Sequence, residues 1–97
     1  MIEKSKIITP SPSHNEAASR FEIVKESYMA VLEYELQDGI IVFTHTGVPA
    51  ALEGQGIGSR LAQAGLEYAR AAGLKVVPLC SFISAYMHKH PEYSDLV

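Results

Sequence analysis

The sequence predicts an α/β (α+β) domain on a mixed sheet, and three observations carry that reading. The first half alternates apolar and polar residues with period two. The second half switches to helical spacing. An apolar strand then follows the first helix, so strand, helix and strand form a crossover joining parallel strands. The expected order is β-β-β-α-β-α, with three antiparallel strands first.

Each element has its own signal. "TPSPSHNEAAS" reads as a flexible arm over residues 1–19, or a short edge strand if the neighbouring "KII" pairs. "RFEIV" is the first full strand, with Phe21 and Ile23 on one face. "KES" turns the chain. In "YMAVLEYEL", Ala30, Leu32, Tyr34 and Leu36 point one way, and Val31, Glu33 and Glu35 the other. Asp38-Gly39 is a strong hairpin signal, and "IIVFTHT" pairs back as the third strand. Ile57, Leu61, Ala64, Gly65, Tyr68 and Ala72 then fall at helical spacing, opposite Arg60, Gln63, Glu67 and Arg70. Gly73 suits a left-handed C-cap. "LKVVPLCSF" reads as a buried strand through Val76, Val77 and Leu79. "SFISAYMHKHPEY" reads as a second helix, capped near Ser81 or Ser84 and broken before Pro91.

Size and composition limit the function. A chain of 97 residues, 47% hydrophobic and 20% charged, suits one small globular domain spanning 1–97. A net charge of −3 offers no basic surface for nucleic acid. No apolar run is long enough to span a bilayer, and the N-terminus has no signal-peptide core. One cysteine excludes an internal disulfide framework and fits a reducing compartment, so a cytoplasmic location is expected. The expected state is a monomer or weak homodimer.

The densest chemistry lies in "ALEGQGIGSRL", residues 51–61, where Gly54, Gly56 and Gly58 lead into a helix. The first amides of a helix lack intrahelical partners, and the helix dipole adds partial positive charge there. Glycines let that backbone approach a ligand, so the segment is either an anion cradle for phosphate or diphosphate, or an ordinary tight turn. The strict alternation does not match the dinucleotide G-x-G-x-x-G pattern, and no Lys followed by Ser or Thr completes a Walker loop.

"VPAALEGQGIGSRL" resembles the phosphate-binding signature of GNAT-type N-acetyltransferases. "FTHTGVP", "ARAAGLKVVPLCSF" and "AYMHKHPEYSDLV" are similar to its small single-domain branch, over roughly Arg20 to Val97. The resemblance implies acetyl-CoA (coenzyme A) as ligand and transfer of acetyl to an amine: a small molecule, a protein lysine or an N-terminus. It implies that the amides of Gln55, Gly56, Ile57, Gly58 and Ser59 hold the pyrophosphate, with Gly54 and Arg60 nearby. It also implies that the strand ending near Val48 splays from that of "KVVPLC" to admit pantetheine. Pro78, which has no amide hydrogen, fits either such a parting or an edge strand. Two positions depart from the pattern: Glu53 stands where Arg or Gln is usual, and Gly47 where small-branch members often carry an acid. The usual last strands are also missing.

Three residues are candidates for catalysis. The resemblance makes Cys80 a reactive thiol beside pantetheine; a buried small hydrophobe is the alternative. His45 is a candidate base, since histidine is the side chain that ordinarily trades protons near neutrality, or is a plain strand residue. Tyr86 lies where the wider family places an acid for the departing thiolate, with His88 as the alternative register and core packing as the bland one. His88 and His90, two apart on a helix, do not share a face, and no metal is expected. A CoA-binding sensor or interaction module without catalysis is the alternative to an enzyme, and a plain structural domain a third reading.

Overall fold

The computed structural model describes residues 11–97. Five strands form one mixed sheet in the order β1-β2-β3-β4-β5: β1 (Ser13–Asn15), β2 (Arg20–Lys25), β3 (Tyr28–Gln37), β4 (Ile40–Gly47) and β5 (Lys75–Pro78). The first four pair antiparallel, and β4 pairs parallel to β5. Between them runs α1 (Ile57–Ala72); α2 (Ser81–Lys89) follows β5, and a 3-10 segment, Pro91–Leu96, ends the described chain.

The arm is more ordered than the sequence suggests. Ser13–Asn15 is the edge strand, and the Asn15 side chain caps a 3-10 turn over Glu16–Ala18. "KII" lies outside the described residues. The β2–β3 and β3–β4 hairpins use two-residue turns with positive φ: Glu26 and Ser27 at 59° and 87°, and Asp38 and Gly39 at 51° and 80°. These are the twist-matched turns that favour Asn-Gly or Asp-Gly, so the first is built without its favoured residues.

Phe21, Ile23, Ala30, Leu32, Tyr34, Ile41 and Phe43 form the buried face of the sheet. Against it α1 lays Ile57, Leu61, Ala62, Gly65, Leu66 and Ala69. The helical stripe is therefore rotated from the expected one: Ala64 and Tyr68 are half-buried and Ala72 is exposed. Gly65 sets the distance, because a Cβ there would lie 2.8 Å from Leu32 and 2.9 Å from Phe43. Gly73 caps α1 at φ 71°, as expected. Leu36 is 53% exposed; it lies beyond the Arg20↔Glu33 pair at which β2 stops covering β3.

The fifth strand also departs from expectation. It is an edge strand in which only Val76 is buried; Val77 is exposed and Leu79 is 69% exposed. Pro78 is compatible with that edge and with the parting that follows. The ladder ends at Phe43↔Pro78, whereas β4 runs on to Gly47. The chain after Pro78 leaves the sheet, with the Cys80 amide donating to the Phe43 carbonyl at 2.9 Å. The second helix starts at Ser81 with Cys80 as its N-cap, so neither Ser81 nor Ser84 caps it.

Candidate active site

A bulge in β4 decides what faces the site. Glu33 pairs with His45 and Tyr34 with Phe43, leaving Thr44 as the extra residue. The Thr44 hydroxyl donates to the Glu33 carbonyl at 3.3 Å. Simple alternation from Ile41 and Phe43 would carry His45 inward. The bulge reverses the phase, turning Thr46 inward and His45 and Gly47 to the opposite face. There a Cβ on Gly47 would lie 3.1 Å from the His45 Nε2 and 3.7 Å from Val31.

Beyond β4 the chain makes a 3-10 turn, Ala50–Leu52, that occupies the Leu52 and Glu53 amides. The next six amides, Gly54 to Ser59, donate to no acceptor among the described residues; the first regular helical bond is from Arg60 to Gly56, at 3.1 Å. Gly54 and Gly56 have φ of 81° and 75°. Positive φ at alternate positions is the backbone feature that anion nests share. The Lys25 ammonium donates to the Gln55 side chain, which donates in turn to the Ala51 carbonyl at 3.3 Å. That tie brings a cation from the β2–β3 turn to the loop.

This loop opens on a cavity of about 450 Å³ lined by Thr46, Val48, Leu52, Ile57 and Phe82 together with the glycine loop. In its wall, the Thr46 hydroxyl lies 3.2 Å from the sulfur of Cys80, which does not itself line the cavity. Burial pushes the Cys80 thiol up, but the Thr46 hydroxyl and the amides of Ile83 and Phe82 outweigh it, and the thiol lies below its ordinary value of 9.0. The amide contacts fall short of a full helix cap. The starts of α1 and α2 thus flank one cavity, whose wall holds both the glycine loop and Thr46, the partner of Cys80.

A family model described as GCN5-related N-acetyl-transferase matches residues 20–96. The chain belongs to the GCN5-related N-acetyltransferase family. A GCN5-like N-acetyltransferase candidate from Staphylococcus aureus, solved by NMR in solution, superposes with a TM-score of 0.71 at 31% identity, covering 93% of this chain and 89% of that one. The mixed sheet and its crossover helix are the fold of this enzyme family.

The cavity gathers some of the candidate residues of this N-acetyltransferase and leaves others aside. Val48, Gly54, Gly56, Ile57, Gly58 and Ser59 line it, with Cys80 behind Thr46. The Gln55 side chain is held by Lys25, and Arg60 is exposed outside the lining. Glu53 lines the cavity mouth yet is exposed, so water screens its carboxylate. His45 is on the other face of the sheet. Tyr86 stacks on His90 with ring centroids 4.1 Å apart, outside the lining, and burial raises its phenol. Exposed His88 edges a separate depression on the outer side of α2. Among the described residues no group of three metal-ligating side chains forms, and no helix is long and apolar enough to cross a membrane.

Sequence reasoning missed Thr46 and Phe82. Thr46 had no signal, because its direction depends on the bulge. Phe82 had one: it lies two residues after Cys80, in the first turn of the helix that Cys80 caps.

Proposed function

We propose that the chain takes the acetyl group of acetyl-CoA and passes it to a primary amine, with Cys80 at the reacting end. The observation that carries this reading is the run of unpartnered amides from Gly54 to Ser59, opening on a cavity whose wall includes Thr46, the hydrogen-bond partner of Cys80. The nest suits a diphosphate in charge and donor number. The apolar walls Val48, Leu52 and Phe82 suit a pantetheine arm. When bound, acetyl-CoA supplies an activated thioester carbonyl.

The chain's own groups have separable roles. The amides bind and orient. Thr46 holds the Cys80 sulfur and favours its thiolate. That thiolate is the nucleophile the cavity offers. It forms a bond to the acetyl carbon as the bond to the CoA sulfur breaks. An amine then displaces the Cys80 sulfur, and the proton it loses neutralises the CoA thiolate. Neither His45 nor Tyr86 has a place in this sequence, so the amine arrives in its neutral form, and the one proton it sheds on acylation passes through water to the CoA thiolate.

The test has two arms. Calorimetric titration should show binding of CoA and acetyl-CoA by the wild-type chain, and its absence for Gly56→Val. A thiol-release assay with spermidine and with a lysine-rich peptide should show CoA formed with one or the other. Failure to bind either form of CoA sinks the reading. Full transfer by Cys80→Ala would leave direct attack by the amine and remove the thiol relay.

A further inference from the structure

Gly58 has no conformational need to be glycine. It is the second residue of α1 and its φ is not positive, so any residue fits its backbone, and glycine is a poor helix former. Its need is steric. A Cβ there would lie 2.8 Å from the Phe82 Cζ and 3.3 Å from both Cε atoms. Gly54 and Gly56 are the reverse case: both have positive φ, and a Cβ on either meets nothing within 4 Å. The third glycine thus serves a neighbouring side chain, and the first two serve the backbone.

Phe82 is the neighbour concerned. It reaches from α2 to the first turn of α1, and it lines the cavity beside Thr46 and Val48. It is 40% exposed, unlike its buried helix neighbour Ile83. We infer that Phe82, seated in the notch left by Gly58, is the positioning residue that sets the width of the cavity between the glycine loop and Thr46, the partner of Cys80, and so aligns the pantetheine arm. The inference rests on the acetyl-CoA reading. It assigns Gly58 to the wall of the cavity, where the alternating glycines alone suggest a third contact for the diphosphate. A side chain on Gly58 must displace the ring, and the ring's free side is the cavity.

The experiment is a double-variant cycle read by CoA titration. Gly58→Ala should weaken CoA about tenfold, since the displaced ring narrows the cavity. Adding Phe82→Leu should remove most of that loss, to within about threefold of Phe82→Leu alone. An equal loss from Gly58→Ala with Phe or Leu at position 82 would overturn the inference. Phe82→Leu alone supplies a second readout that does not depend on the folding of Gly58→Ala. It should leave unchanged the affinity for the nucleotide half of CoA, which carries the diphosphate without pantetheine, while weakening intact CoA. Equal weakening of both probes would overturn it. If the wild-type chain binds no CoA, this inference falls together with the proposed function; if it binds CoA but the cycle shows no coupling, this inference falls alone.

Discussion

The Thr46 hydroxyl stands 3.2 Å from the Cys80 sulfur, joining the inward-turned end of β4 to the N-cap of α2. Two elements far apart in sequence therefore share one reactive atom. With the amides of Ile83 and Phe82, this contact outweighs burial and lowers the thiol from 9.0. The iodoacetamide alkylation rate of Cys80 should rise with pH to a midpoint below 9.0, and Thr46→Val should move that midpoint up. A wild-type midpoint at or above 9.0 contradicts the reading.

The helix rests on the sheet through Gly65. Gly65→Ala forces a methyl group against Leu32 and Phe43. Urea unfolding should show a loss of about 1–3 kcal/mol, the usual cost of overpacking a filled core. A gain, as expected for Gly→Ala in an exposed helix, would show that the sheet yields.

Asn15 and Arg20 both donate to the same Glu22 carboxylate oxygen, at 2.9 and 2.6 Å; the Asn15 bond ties β1 to β2, and the Arg20 bond lies within β2. The Asn15 hydrogen bond first, and that from Arg20 next, lower the Glu22 pKa from 4.5. A carboxyl lowered by folding stabilises the fold above its unfolded value, and that stabilisation disappears as pH falls through the folded one. The melting temperature of Glu22→Gln should lie below that of the wild type at neutral pH. The gap should close as the pH drops below 4.5. A gap that persists in strong acid would assign the loss to packing.

The Glu26-Ser27 turn holds two L-residues at positive φ. Replacing them with Asn-Gly should raise stability by about 1 kcal/mol, since left-handed geometry costs ordinary residues roughly that much each and glycine returns part of it as chain entropy. Thermal melting would show it; no gain would mean the tie from Lys25 to Gln55 fixes the turn whatever its residues.

The strand order and the parallel crossover were legible because they depend on period and length. Asp38-Gly39 and Gly73 were legible because their backbone geometry restricts residue type. The helical face was misjudged because the sheet beneath α1 selects Ala62, Leu66 and Ala69 from a helix rich in small residues. "KVVPLC" looked buried because apolar runs usually are, whereas here the edge position exposes Val77 and Leu79. At the site, the glycine loop announced itself. The separation of His45 from Thr46 did not, because a single extra residue at Thr44 inverts the pattern and no local composition marks it.

The sheet has blunt borders. Among the described residues its outermost strands are three and four residues long, and one of them ends in a proline with no hydrogen to donate. A stray strand laid along either rim finds too short a template to hold it. Crowded solutions of this chain should therefore resist the sheet-to-sheet polymerisation that long bare rims invite.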